Sequence, residues 1–248
     1  MLPKPIQSLQ HKLVKDAVLL RKNKQERLKK QQVLVIGKKM VQDLSSHAAA
    51  DVLFCGEDVD LSYLNSPKAI YHVSFSILKK ISGVCHPDGV AAIFPLPKMQ
   101  SKIDFPLLIL DDIQDPGNVG TLFRSALGLF WNTVLYTPQT ADPFGEKALS
   151  ASRGAAFHIP HFCKEKEEIA QLLEQKNVAS YLADTKGKDP ATWKKTERYA
   201  LIVSSEGKGP SSCFINRSKR LSIPMHASIE SYNVAAAGSI LLYLLRAL

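Results

Sequence analysis

The feature that most constrains this chain is a strand-helix alternation that restarts at residue 106 and carries three small-residue loops, each at the end of an apolar strand. Strand "PLLILDD" leads to helix "NVGTLFRSALGLF", strand "TVLYT" to a helix through "GEKALSAS", and strand "AFHIPHF" to helix "KEEIAQLLEQ". Strands "VASYLAD", "ALIVSSEG" and "LSIPM" and a last helix, "NVAAAGSILLYLLRAL", complete the run. Apolar strands separated by helices predict an α/β fold with a mostly parallel sheet covered on both faces. Ligands of such sheets bind beyond the C-terminal strand ends. The loops "DPGNVGTLFRSA", "SSEGKGPS" and "IPMHASIESYNVAAAG" all fall there, with glycines where a backbone approaches a ligand closely.

Before this run, "VLVIG", "DVLFC", "AIYHVS" and "GVAAIFPLP" alternate with the helix-like "KKMVQDLSSHAA" and "FSILKKIS", predicting a smaller α/β domain that closes near residue 97. "PLPKMQSKID" reads as the boundary. The division expected is therefore 1–98 and 105–248, and a chain of 248 residues accommodates two such cores. Residues 6–32 read as one basic amphipathic helix, with Ile6, Leu9, Leu13, Ala17 and Leu20 on the buried stripe and Lys22, Arg27 and Lys30 among the cations facing out.

The 32 Lys and Arg residues exceed the 23 Asp and Glu by nine, enough for an attractive field toward polyanions, which fits a nucleic-acid binder and a merely basic soluble protein alike. Cys55, Cys85, Cys163 and Cys213 show no CxxC spacing, which argues against a zinc site or a disulfide framework. The last apolar stretch is too short to span a bilayer and the start lacks an apolar signal core, so a cytoplasmic protein with no membrane association is expected. A P-loop is excluded because Ile202 stands where Gly207-Lys208 would need the first glycine, and no GxGxxG, HExxH or GxSxG occurs.

Asn118 near a helix start, and Ser231 and Asn233 at another, fit simple capping as well as a functional role. Capping leaves Arg124, six residues beyond Asn118, without an explanation. Taken in order, Asn118, Gly120 and Arg124, then Glu206, Gly207 and Gly209, then Ile223, Pro224, Met225, Ser231 and Asn233 resemble the three motifs of the SpoU (TrmH-like) RNA 2′-O-ribose methyltransferases of the SPOUT superfamily. The resemblance spans about 105–248. It implies a catalytic domain with a deep trefoil knot, S-adenosylmethionine as cofactor with no metal, and a homodimer formed through that domain. It also implies that the first segment is a smaller RNA-binding domain similar to ribosomal protein L30e. By resemblance, Arg124, Asn118, Glu206, Ser231 and Asn233 serve catalysis, with Glu206 orienting Arg124 or the substrate. Leu182, Ala183, Ser204, Glu206, Gly207, Ile223, Met225 and Tyr232 hold the cofactor. This chain departs from the family at Ser204 and Ser205, commonly Gly and Asn, at Tyr232, usually Leu, and at Ile36, often Glu.

The reading that results is methyl transfer from S-adenosylmethionine to a ribose 2′-OH, on ribosomal RNA, with transfer RNA as the second candidate substrate. Two rivals remain open at the level of sequence: a catalytically silent RNA-binding protein on the same scaffold, and a generic nucleotide-binding α/β protein.

Overall fold

The computed structural model describes residues 4–57, 59–62, 64, 67–98, 102–193 and 196–246. Part of the expected boundary segment, 99–101, and the last two residues of the chain lie outside them. The chain forms two compact units, one from 1–98 with 144–150 and the other from 99–143 with 151–248. Residues 144–150, which the sequence reading includes in 105–248, group with the first unit.

The first unit is a five-stranded sheet, β1 (Lys4–Ile6), β2 (Gln32–Ile36), β3 (Val52–Cys55), β4 (Ile70–Val73) and β5 (Val90–Pro95), in the order β1-β4-β3-β5-β2. β5 alone runs antiparallel to its neighbours β3 and β2. Helices α1 (Lys12–Lys22) and α4 (Phe75–Ser82) cover one face, where Val14, Ala17, Leu20, Ile77 and Ile81 pack against Leu34, Phe54, Val73 and Ile93. Helix α3 (Lys38–Ser45) contributes Met40, Val41 and Leu44 to the buried core.

The single basic helix expected over 6–32 is corrected. Ile6 belongs to β1, and the helical part breaks at Asn23 into α1 and α2 (Lys24–Lys30). Asn23 adopts an extended conformation (φ −125°), and its Oδ1 accepts from the N–H groups of Gln25 and Glu26, so it ends one helix and caps the next. Arg27 is 4% exposed, its guanidinium donating to the carbonyls of Leu20 and Arg21, and Lys30 pairs with Asp16 at 2.8 Å. Those two cations are structural. Those that do face solvent include Lys29 on α2 and, on α1, Lys12, Lys15 and Lys22, which share one stripe with the exposed Leu19.

The second unit is an all-parallel six-stranded sheet in the order β11-β9-β10-β6-β7-β8. Its strands are β6 (Leu107–Asp111), β7 (Thr133–Tyr136), β8 (His161–Cys163), β9 (Ala179–Lys188), β10 (Tyr199–Ser204) and β11 (Lys219–Leu221). In chain order the helices are α5 (Pro116–Gly128), α6 (Glu146–Ser152), which groups with the first unit as far as Ser150, α7 (Lys166–Gln175), α8 (Ser212–Ile215) and finally α9 (Val234–Leu245). The central strands β6 and β10 are continuous apolar runs because both faces are covered. Helix α7 seals one face with Ile169 and Leu173 against Leu107, Ile109 and Ile202, while α9 packs on α5. There Ser125 Oγ meets Ser239 Oγ at 2.7 Å, and Gly238 leaves room for Leu122.

Three local expectations are corrected. The strand "AFHIPHF" is a 3₁₀ turn over Ala155–Phe157 followed by the short β8, "LSIPM" is replaced by a strand two residues earlier at β11, and α8 has no counterpart in the sequence reading. No helix among the described residues is long and apolar enough to cross a membrane.

Candidate active site

Connections from the adjacent strands β6 and β10 leave in opposite directions, the first toward β7 and the second toward β11. Such a switch point opens a crevice at the C-terminal strand ends. A cavity of about 400 Å³ lies at this edge of the sheet, formed by the ends of β9 and β10, the loops after β10 and β11, and the first turns of α9. That volume falls within the ~300–1,000 Å³ of small-molecule sites.

Of the residues expected to hold the cofactor, Ala183, Ser204, Glu206, Ile223, Met225 and Tyr232 line the cavity, as does Ser231. Leu182 and Gly207 do not. Leu182 is fully buried in the sheet core, and Gly207 projects into open space. The sequence reading missed Asp184, Thr185, Pro210, Ser222 and Glu230, which also line it. No alternation of side chains marks them, because three consecutive residues at the end of β9, Ala183, Asp184 and Thr185, all line the cavity. Apolar walls come from Val203, Leu221, Val234 and Leu241, while the charged side chains in the lining are the carboxylates of Asp184, Glu206 and Glu230. Asp184 is held by Arg220 at 3.3 Å. An apolar cavity edged by carboxylates suits a ligand with an aromatic body and a cationic centre.

Local sequence explains how the three motifs reach one place. Helix α5 starts with Asp115 as N-cap, its Oδ1 accepting from Asn118 N at 2.8 Å, and Pro116 pre-sets the first turn. Capping by Asn118 itself is thereby ruled out, and its amide is free for another partner. That partner is Asn233, whose Nδ2 donates to Asn118 Oδ1 at 3.1 Å across 115 positions. Asn233 also caps α9, its Oδ1 accepting from Ala235 N and Ala236 N. Glu206 Oε1 accepts from Val234 N at 2.7 Å, satisfying another open donor of the same helix start and placing a carboxylate at the positive end of its dipole. Asn118, Glu206 and Asn233 thus form one cluster around the N-terminus of α9.

Arg124 stands apart from that cluster. It is exposed on α5, and no hydrogen bond or ion pair to any described residue holds its guanidinium. The expectation that Glu206 orients Arg124 is not met within this chain, since Glu206 is occupied with Val234 N. Gly120 is buried in α5, and Ser231 is exposed at the cavity rim.

Beneath the cavity floor lies a buried ionic network. Asp111, 1% exposed, ends β6, and Asp112 follows in the left-handed region (φ 57°). Lys166 Nζ reaches Asp112 Oδ2 at 2.7 Å, Ser211 Oγ at 2.8 Å and Asp111 Oδ1 at 3.4 Å. Burial alone would raise the Asp112 pKa, but the bonds from Lys166 and Thr137 and the lysine charge outweigh it and hold the carboxyl below its usual range. The reciprocal balance raises Lys166, where burial opposes and the two aspartates prevail. Among the described residues no cluster of His, Cys, Asp and Glu has the makings of a metal site.

The model of the SpoU rRNA Methylase family matches residues 106–243. The chain is 30% identical over 247 residues to the 23S rRNA (guanosine(2553)-2′-O)-methyltransferase RlmP of Bacillus subtilis, covering 98% of this chain and 99% of that protein. It is also 30% identical to rRNA methyltransferase 3, mitochondrial, of Xenopus tropicalis, of which it spans only 60%. Among solved structures, a candidate TrmH-family RNA methyltransferase from Porphyromonas gingivalis superposes with a TM-score of 0.85 at 28% identity, covering 96% of this chain and 98% of that one. An AdoMet-bound rRNA methyltransferase from Sinorhizobium meliloti shares the fold, with a TM-score of 0.85 at 23% identity and coverage of 98% and 97%. A family model that covers more than half of the chain, and a relative aligned almost end to end, fix its membership: the chain belongs to the SpoU rRNA Methylase family.

Proposed function

We propose that this protein transfers a methyl group from S-adenosylmethionine to a ribose 2′-OH of ribosomal RNA. The observation that carries the reading is the convergence of Asn118, Glu206 and Asn233 on one helix start beside a cavity whose charged lining groups are all carboxylates. S-adenosylmethionine, when bound, supplies an electrophilic methyl on a sulfonium. In this reading Val203, Ile223, Met225 and Leu241 provide the apolar contacts, Glu206, Glu230 and Asp184 the negative field that favours a cation, and the backbone of 204–209 the close approach. The RlmP relative acts on a guanosine of 23S rRNA by its name, which favours ribosomal over transfer RNA here.

Attack by a ribose hydroxyl requires alignment and relief of charge on the oxygen. Arg124 is the group proposed for the second task. Its guanidinium is fixed positive, uncommitted to any described residue, and able to lie beside a developing alkoxide. A guanidinium is already protonated and has no site to accept the hydroxyl proton, so its role is electrostatic. The retained Arg124, Glu206 and Asn233 argue against a silent RNA-binding protein. The stripe of Lys12, Lys15 and Lys22 on α1 supports RNA contact by the first unit, read as an L30e-like domain in a cytoplasmic protein.

The knot and the dimer belong to the same reading. The backbone at Gly187 lies against Arg220 and Leu221, Ser222 N donates to Lys188 O at 2.8 Å, and the chain then returns across the sheet as α9, which supports a threaded C-terminal segment. For the dimer, the supporting feature is an exposed apolar surface at the ends of α5 and α9, containing Phe130, Tyr243 and Leu244.

The test is transfer of a labelled methyl from S-adenosylmethionine into RNA of a strain lacking the protein, with the product analysed as nucleosides. A 2′-O-methyl nucleoside from ribosomal RNA is expected. Label on a base, label in transfer RNA alone, or no heat of binding with millimolar S-adenosylmethionine would each refute it. Arg124→Ala is expected to lose about 10²- to 10³-fold in turnover while keeping its melting temperature and cofactor affinity, because the side chain makes no internal bond. Near-normal transfer by that variant removes Arg124 from the mechanism.

A further inference from the structure

We propose that Asp111 is a positioning residue that clamps both ends of the 204–211 loop and so sets the geometry of the cavity wall and of Glu206. This rests on the reading of the cavity as the S-adenosylmethionine site and adds a residue outside the three motifs.

The register of β6 against β10 pairs Asp111 with Ser204 at the last rung of the ladder. From that position one residue meets the loop where it leaves the strand and where it returns. On departure, Ser205 N donates to Asp111 O at 3.1 Å and Ser204 Oγ to Asp111 Oδ2 at 3.2 Å. On return, Ser211 N donates to Oδ2 and Ser211 Oγ to Oδ1, each at 2.8 Å. Between these anchors lie Glu206, Gly209 and Pro210, all lining the cavity. Gly207 and Gly209 give the loop little conformational preference of its own, so its shape depends on its ends.

A neutral side chain would not serve equally well. Three of these donors converge on the Asp111 carboxylate, which accepts them all without presenting a donor of its own. A charge this buried is tolerated because Lys166 stands 3.4 Å away and bonds both Ser211 Oγ and Asp112. Lys166 in turn opens α7, so the clamp ties the loop to the helix that seals the opposite face of the sheet. Ser204, at a position where the family commonly has Gly, adds a donor to the clamp that glycine lacks.

The test compares the full-length protein with Asp111→Ala/Lys166→Met, which removes the clamp without stranding a buried cation and leaves Asp112 its bond from Thr137, and with the milder Ser211→Ala. Amide hydrogen exchange is read without ligand, S-adenosylhomocysteine affinity by calorimetry, and the Michaelis constant for RNA by methyl transfer. In the double variant, exchange at 205–211 is expected to rise by ~10-fold with β6, β10 and the first unit unchanged, and affinity for S-adenosylhomocysteine to fall by ~10-fold. The Michaelis constant for RNA is expected to stay within about twofold of wild type. Ser211→Ala is expected to show the same local pattern at ~3-fold, and it decides the matter alone if the double variant does not fold. Loop exchange and ligand affinity equal to wild type overturn the inference, as does acceleration spread uniformly over the sheet, which would mark a purely structural residue. If the wild type itself fails to bind S-adenosylhomocysteine, the proposed function falls, while the exchange pattern still decides whether Asp111 holds the loop.

Discussion

Asn233 does two things with one side chain, and its two ends are separable. Its Oδ1 caps α9 while its Nδ2 donates to Asn118. Asn233→Asp keeps the acceptor, and a carboxylate at a helix start is electrostatically favoured. The donor to Asn118 is lost. The variant is therefore expected to melt within a few degrees of wild type and to lose methyl transfer, whereas Asn233→Ala also gives up a cap worth about 1 kcal/mol. Equal activity in Asn233→Asp would reduce Asn233 to a cap. His161 provides a residue-scale prediction on stability. It lies buried against Phe123 and Tyr136, with Nδ1 2.9 Å from Ile159 O, and the Asp142 carboxylate acts on it electrostatically. Burial lowers its pKa, outweighing the Ile159 carbonyl and the Asp142 charge, both of which raise it. The folded state thus binds its proton less readily than the unfolded state. Stability from this group is complete above the ordinary value of 6.5 and is lost as the pH falls through that value toward the folded one. Wild type is expected to lose melting temperature relative to His161→Phe as the pH falls below about 6.5; parallel curves would show that His161 takes up its proton equally in the folded and unfolded states.

At the scale of elements, three glycines rank the tightness of the packing around the site. A Cβ on Gly187 would come within 2.5 to 2.6 Å of backbone atoms of Arg220 and Leu221, which have nowhere to go, so Gly187→Ala is expected to cost about 1–3 kcal/mol or to misfold. At Gly238 the obstacle is the tip of Leu122, which has rotamers to explore, and the cost is smaller. At the end of α5 nothing lies near Gly128, so Gly128→Ala is expected to stabilise by about 0.5–1 kcal/mol. Thermal unfolding of the three variants checks the order, and a harmless Gly187→Ala would mean that the 187–188 and 220–222 segments do not press together. The same contrast explains what was legible in the sequence. β6, β7 and β10 announce themselves as apolar runs because both their faces are buried. β11 and the last residues of β9 are polar, short and specified by backbone contact at Gly187, which leaves no side-chain pattern to read. The break at Asn23 is hidden for a different reason, since the apolar stripe continues on both sides of a capping residue that composition alone does not distinguish from a helical one. In the site, the motif order identified the converging residues, but Asp184, Glu230 and the Asp111 network depend on strand register and loop closure across the fold.

At the scale of the whole molecule, the open question is what covers the far ends of α5 and α9, and one residue makes it testable. Phe130 follows α5 in the left-handed region (φ 62°) and is 78% exposed. Both properties work against it in an isolated chain: a non-glycine residue there costs about 1–2 kcal/mol, and the ring buries almost nothing. Next to it Trp131 is anchored, its Nε1 donating to Leu242 O at 3.2 Å, which brings Phe130 beside the last turns of α9 with the exposed Tyr243 and Leu244. A patch of this kind, built from two helices and presenting an aromatic at a strained position, is what a self-associating surface requires. Under the homodimer reading, Phe130→Gly relieves the strain and removes the anchor together. Its monomer is expected to be at least as stable as wild type toward denaturant at nanomolar concentration, while its dimer dissociates at ~10-fold or more higher protein concentration. Sedimentation equilibrium across nanomolar to micromolar concentration reads both. A wild-type chain that sediments at 27.4 kDa throughout, or a Phe130→Gly dimer as tight as wild type, would show that this patch is not the interface.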